Sequence, residues 1–284
     1  MDQFYAEVLI DRRFMLAEGP VWDERLSRLH FVDIKGCTLY TFDPRTENLK
    51  GRDVSQNIGC FALREKGGFI MGLASGVCLM DPDGEMKRLS SPEFDAMTRS
   101  NDGKCDLQGN FWCGTSDLKD GACRGKLYRL SPDGSCAEMQ AGLSISNGLA
   151  FREERMYFID SIRCRVETYR LDPERKEMTD CRTVVDMTGK PYVPDGMSID
   201  EEGKLWVAHW GGGFVGRYDP ENGELLARVE VPASQTSSCC FGGEDLQTLF
   251  ITTASVGKEE EPGAGKVYAV RLPWKGTVMN RFPG

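Results

Sequence analysis

The chain of 284 residues repeats itself six times, and a sixfold repeat of this length leaves few folds open. Each unit has a turn-flanked apolar head, a second stretch such as "RLHFVDI" and a third such as "TLYTFDP". The heads fall near Glu18, Gly59, Asn101, Asn147, Asp195 and Ser238, at successive steps of 41, 42, 46, 48 and 43 residues. A four-stranded propeller blade takes roughly 40 to 50 residues. The third-stretch copies are "CTLYTFDP", "GVCLMDPDG", "GKLYRLSPDG", "VETYRLDP", "FVGRYDPENG" and "KVYAVRL". Most end in Asp-Pro or Ser-Pro, where proline fixes φ and withholds the amide that a continuing ladder needs. Helical periodicity is nearly absent. The pattern therefore predicts an all-β chain: a six-bladed β-propeller of four-stranded antiparallel blades, one domain over residues 1–284. "FYAEVLI" belongs to no unit. A closed ring removes unpaired edges, so this segment is expected to supply the outer strand of the last blade, beside "KVYAVRL".

The innermost strand of every propeller blade lines the central channel, so equivalent positions far apart in sequence converge on one axis. Glu18, Asn101, Asn147 and Asp195 stand at such positions, in "EGP", "NDG", "NGL" and "DGM". Taken singly, each is explained by the frequency of Asn-Gly and Asp-Gly in turns. Their recurrence at one phase of the repeat points instead to a site. Four oxygen-bearing side chains, two of them anionic, are costly to gather in a low-dielectric channel unless a cation joins them. A hard divalent ion answers that need; calcium takes about 6 to 8 oxygen ligands, which leaves room for water and a substrate oxygen. Magnesium, manganese, zinc and ferrous iron remain open. Asp195 is then a candidate both to hold the metal and to handle a proton.

Rival chemistries find little support. His30 and His209 are the only histidines, which excludes a three-histidine zinc site, and no G-x-S-x-G elbow is present. His30 reads as an ordinary strand position and His209, beside Trp210, as a structural one. "GGGFVG" at 211–216 satisfies G-x-G-x-x-G, but no helix follows it. Trp112 and Trp206, at matching points of second stretches, are expected to pack between blades. "GKEEEPGAG" reads as a solvated hairpin loop, with a second calcium site as the weaker reading. A net charge of -9 argues against a nucleic acid or anionic membrane partner. The amino terminus lacks the basic start and apolar run of a secretory signal, and the eleven cysteines include no C-x-x-C. Reduced thiols and a cytoplasmic location are expected, with Cys239 and Cys240 in the core. A ring closed on itself needs no partner, so a monomer is expected.

Several segments, in order along the chain, resemble the SMP-30/gluconolactonase/luciferin-regenerating-enzyme family, which includes regucalcin. They are "LAEGPVWD", "FVDIKG", "RSNDGKCDLQGNFWCGT", "SISNGLAF", "YFIDS", "PDGMSIDEEGKLWVAHWGGG" and "TSSCCFGG". The resemblance implies a six-bladed propeller that binds one divalent metal and hydrolyses sugar lactones to aldonic acids. By residue, it implies Glu18, Asn147 and Asp195 as metal ligands and Arg99 and Asn101 as substrate contacts. After "CGT" the chain departs from relatives that carry a pair of acids there: it reads "SDLKDGACRG", which makes Asp117 or Lys119 the substrate contact in that region. Two other readings accompany the lactonase: a calcium-binding regulatory protein of regucalcin type, and an esterase or phosphotriesterase using the same pocket.

Overall fold

The computed structural model describes residues 1–89, 92, 94–119, 122–172 and 177–284. After two short strands, β1 (Asp2–Tyr5) and β2 (Glu7–Ile10), the chain forms successive antiparallel sheets in chain order. Blade 1 holds β3 (Ala17–Asp23), β4 (Arg28–Asp33), β5 (Thr38–Asp43) and β6 (Asn48–Asp53). Blade 2 holds β7 (Ile58–Leu63), β8 (Phe69–Leu73), β9 (Gly76–Met80) and β10 (Met86–Arg88). Blade 3 holds β11 (Thr98–Cys105), β12 (Phe111–Asp117), β13 (Gly125–Leu130) and β14 (Cys136–Leu143). Blade 4 holds β15 (Ser146–Arg152), β16 (Arg155–Asp160), β17 (Arg165–Asp172) and β18 (Glu177–Asp186). Blade 5 holds β19 (Val193–Ile199), β20 (Leu205–Trp210), β21 (Phe214–Tyr218) and β22 (Leu225–Glu230). Blade 6 holds β23 (Thr236–Gly242), β24 (Thr248–Thr253) and β25 (Val267–Arg271). Each predicted third stretch is the third strand of its blade.

The amino-terminal segment closes the ring, but not as one piece. β2 pairs antiparallel with β25 and completes blade 6, as expected, whereas β1 pairs in parallel with β22 and adds a fifth strand to blade 5. Ala6 makes the step between them, donating its amide to Glu230 O at 2.9 Å. The innermost strands β3, β7, β11, β15, β19 and β23 each touch the next around the ring. The core accordingly divides among the blade interfaces: Ala150, Ile159 and Val207 pack between blades 4 and 5, and Phe31, Trp22 and Phe250 between blades 6 and 1.

Trp112 and Trp206 pack between blades and are almost fully buried. Burial obliges the indole nitrogen to find an acceptor. Trp112 donates to Asp106 Oδ2 at 2.8 Å and Trp206 to Asp200 Oδ2 at 3.0 Å, the same bond in two blades. No disulfide joins any of the eleven cysteines, and Cys239 and Cys240 are core residues. Among the described residues no helix is long and apolar enough to cross a membrane.

The carboxy-terminal tail has a role that the repeat did not announce. It crosses the ring at the far ends of the innermost strands. Asn280 Nδ2 donates to Cys105 O at 3.2 Å, and the Phe282 amide donates to Leu63 O at 2.8 Å. Met279 and Asn280 thereby line a small cavity in the channel, together with Gly19, Asp102 and Ser238.

Candidate metal centre

The register between the two innermost strands slips at the head of every blade. The slips fall between Glu18 and Val21, Ile58 and Cys60, Ser100 and Gly103, Asn147 and Leu149, Pro194 and Met197, and Thr236 and Ser238. A bulge bends its strand and re-aims the side chains beside it. Asn147-Gly148 and Asp195-Gly196 lie inside strands, so the turn explanation of these dipeptides does not hold. Their glycines answer to packing: a Cβ on Gly148 would lie 2.6 Å from Asp195 O, and one on Gly196 would lie 2.1 Å from Ser238 Oγ. Neighbouring inner strands approach so closely here that only glycine fits.

Glu18, Arg99, Asn101, Asn147 and Asp195 meet around one cavity of about 260 Å³. Its walls are apolar, from Leu16, Ile34, Ile145, Val193, Trp210 and Val256. Asn147 Nδ2 donates to Ser161 Oγ at 2.9 Å, and Ser161 Oγ donates to Pro194 O at 2.7 Å. Asn147 Oδ1 and Asp195 Oδ1 are buried with no hydrogen-bond partner. Such orphans are rare in folded proteins, and each calls for an explanation. Glu18 accepts the Gly19 amide at 2.9 Å. Arg99 Nη1 donates to Asn101 Oδ1 at 2.7 Å, and Asn101 Nδ2 donates to Ser146 O at 2.9 Å.

Burial dominates the electrostatics. It pushes the Glu18 carboxyl from 4.5 to about 8, with the Asp102 charge adding to the rise. It pushes Asp195 well above the carboxylate range too, helped by the charges of Glu18 and Asp102. Two buried carboxyls whose proton affinity is raised, one of them with an orphaned oxygen, together with the orphaned Asn147 Oδ1, form a site that a cation would complete by displacing protons. Glu18, Asn147 and Asp195 thus fit a hard divalent ion by donor type and burial. Among the described residues no three His, Cys, Asp or Glu side chains gather around one point, in keeping with a set of two carboxylates and an amide.

Asp117 and Lys119 do not line this cavity, although Asp117 pairs with Thr98, next to Arg99. Asp117 accepts the amides of Lys119 at 3.0 Å and Arg124 at 3.1 Å, so both its oxygens serve its own loop. Residues 120 and 121 of that loop lie outside the described residues. Both histidines are structural. His30 Nδ1 bonds Thr41 Oγ1 at 2.9 Å, and His209 stacks on Phe214 with Nε2 3.0 Å from the Tyr218 hydroxyl. Burial lowers them to about 4 and about 3, so both are neutral at pH 7. The 211–216 glycines form the β20–β21 hairpin, with no helix after them. The 257–265 loop is more than solvated surface, since Glu261 accepts Ser234 Oγ at 2.6 Å.

Two members of the site escaped sequence reasoning. Ser161, in a 3-10 turn after β16, sets the direction of the Asn147 amide, and Lys35 reaches the rim from the β4–β5 turn. Lys35 sits inside "FVDIKG", a segment noted for its resemblance but not for its charge.

Comparison with known proteins follows the same lines. A family model described as the SMP-30/Gluconolactonase/LRE-like region matches residues 16–255. A Bacillus subtilis (strain 168) protein named "Putative sugar lactone lactonase YvrE" is 35% identical over 283 residues, covering 96% of this chain and 97% of its own. Regucalcin of Xenopus laevis is 33% identical over 299 residues, covering all of both chains. A solved structure of regucalcin from Agrobacterium tumefaciens, titled a calcium-binding protein, superposes with a TM-score of 0.91 at 26% identity, over 99% of this chain and 98% of its own. A six-bladed ring with these oxygens at its hub, matched over nearly its whole length, belongs to the SMP-30/gluconolactonase/LRE-like family.

Proposed function

We propose that the chain is a metal-dependent hydrolase of sugar lactones, opening a five- or six-carbon aldonolactone to its aldonic acid. The observation that carries this reading is the pair of orphaned oxygens, Asn147 Oδ1 and Asp195 Oδ1, buried in one cavity with the Glu18 carboxyl. The lactonase name of the Bacillus subtilis relative supports it. Glu18, Asn147 and Asp195 would hold the ion, with calcium the first choice for an all-oxygen set. When bound, the ion would polarise the lactone carbonyl and stabilise the negative charge developing on its oxygen.

The remaining work falls to side chains. Asp195 accepts a proton from the attacking water at its carboxylate and returns it to the ring oxygen as the ester bond opens. Arg99, braced on Asn101 and on Ser100 O at 2.9 Å, presents its remaining N–H groups to substrate hydroxyls and carbonyl. The apolar walls limit competing water around the ring.

The test is a panel of aldonolactones assayed with apoprotein and with calcium, magnesium, manganese, zinc or ferrous iron. Turnover that a chelator abolishes and one metal restores is the expected result. Calcium binding without turnover on any lactone would favour the regulatory reading, which the regucalcin names of several relatives support. Metal-dependent turnover of a phosphotriester alone would favour the esterase reading.

A further inference from the structure

The mouth of the cavity carries a cation that lactone opening does not use. Lys35 lines the same cavity as Glu18 and Asp195, and its side chain has no hydrogen bond or ion pair among the described residues. Four other lysines meet carboxylates, among them Lys126 with Glu138 at 2.7 Å and Lys204 with Asp219 at 2.8 Å, whereas the rest, like Lys35, meet none among the described residues. What sets Lys35 apart is its place on the cavity that holds Glu18 and Asp195.

The backbone beneath Lys35 is nonetheless braced. Asp33 accepts the amides of Met15, Leu16 and Gly36, each at 3.0 Å, and Asn57 Nδ2 donates to Ile34 O at 2.8 Å. One carboxylate therefore ties the turn bearing Lys35 to the stretch leading into β3, which carries Glu18. Arg99 lines the same cavity, bonded to an amide oxygen and a carbonyl but in ion-pair contact with no carboxylate. Neutral sugar hydroxyls are read well by amides and hydroxyls. A full ammonium on a flexible, exposed stem at the rim of the cavity suits a carboxylate or phosphate oxygen.

We infer that the lactone taken by this pocket carries a second anionic group, a carboxylate or a phosphate ester at the end remote from the ring carbonyl, held by Lys35 at the cavity mouth. The inference rests on the lactonase reading and narrows its substrate class. A cationic mouth also counters the net charge of -9, which otherwise repels an anionic substrate.

The test compares kcat/KM on a neutral aldonolactone, on the monolactone of an aldaric acid of equal length, and on the aldonolactone phosphorylated at its terminal hydroxyl. One or both anionic lactones are expected to exceed the neutral one by about tenfold, and whichever is preferred identifies the group. Lys35→Met should lower the anionic-to-neutral ratio about tenfold, chiefly through KM, and Lys35→Arg should restore most of it. Raising salt from about 0.05 to about 0.5 M should narrow the ratio. A neutral lactone turned over as well as both anionic ones, or a ratio indifferent to Lys35→Met, would overturn the inference while leaving the lactonase intact. Should no lactone be opened, the lactonase reading fails separately, and calorimetric binding then decides. Tighter binding of the aldarate than of the aldonate, lost in Lys35→Met, supports the anion site, and equal binding overturns it.

Discussion

Asn147 and Ser161 are joined by a 2.9 Å hydrogen bond that decides which end of the Asn147 amide faces the channel. Because the Ser161 hydroxyl is itself committed to Pro194 O at 2.7 Å, it accepts from the amide nitrogen and leaves Oδ1 turned to the cavity. A partner that orients a metal ligand is typically worth about 10- to 100-fold in affinity. Ser161→Ala should therefore weaken calcium binding by about that factor while the far-ultraviolet spectrum stays that of the parent protein. Calorimetric titration is the measurement. An unchanged affinity would mean that Ser161 does not set the ligand's direction.

Asp195 has a second duty in the proposed reaction, and the two can be separated. Asp195→Asn keeps an oxygen donor but cannot accept a proton in the same way. At a metal concentration shown by titration to saturate the variant, turnover should fall by about 10² to 10⁴-fold. Full turnover under those conditions would remove Asp195 from the proton transfer.

The ring was readable in the residues because its signals are local. Alternating apolar positions, Asp-Pro turns and head dipeptides recur within each unit, and all six heads fall on innermost strands. The convergence of Glu18, Asn101, Asn147 and Asp195 followed from the repeat, and the resemblance singled out Glu18, Asn147 and Asp195 among them. What failed to show has no periodic mark. The break at Ala6 that divides the amino-terminal segment between two blades depends on Glu230, far along the chain. Nothing in "YFIDSIRC" singles out Ser161, whose value comes from a neighbouring strand and the next blade. The tail "WKGTVMNRFPG" shows no alternation, and its partners lie up to 258 residues away.

The raised carboxyls fix the sign of the pH dependence. Burial moves Glu18 from 4.5 to about 8, so between those values the folded apoprotein holds a proton that the unfolded chain has released. The contribution of this group to stability is therefore undiminished below about pH 4.5, declines as pH rises and levels off above about 8; Asp195 acts in the same direction. A metal ion must displace these protons, so its apparent affinity should climb with pH up to about 8. Thermal melts of the apoprotein from pH 5 to 8 should show a falling Tm, and calcium should raise Tm more at pH 8 than at pH 5. A calcium-induced shift that does not grow over this range would contradict the protonated empty site.

The tail supplies one blade with a partner that two other blades make for themselves. In blades 3 and 5 the carboxylate after the innermost strand receives a tryptophan and faces an arginine of its own sheet. Asp106 has Trp112, with Arg129 Nε at 3.8 Å, and Asp200 has Trp206, with Arg217 Nε at 2.8 Å. In both cases the arginine pairs across the ladder with the tryptophan. The corresponding pair in blade 1 is Leu29 and Phe42, which can donate nothing. Arg281 takes their place, 2.8 Å from Asp23 and 2.8 Å from Glu24, with 4% of its side chain exposed and 7% of Asp23's. Arg281→Met would leave Asp23 buried beside no cation, at a cost of about 3 kcal/mol. Urea denaturation should show this loss. In a double-mutant cycle with Asp23→Asn, the two changes together should cost less than their sum, because the second removes the charge that the first strands. Strict additivity would show that the tail is held by its backbone contacts alone.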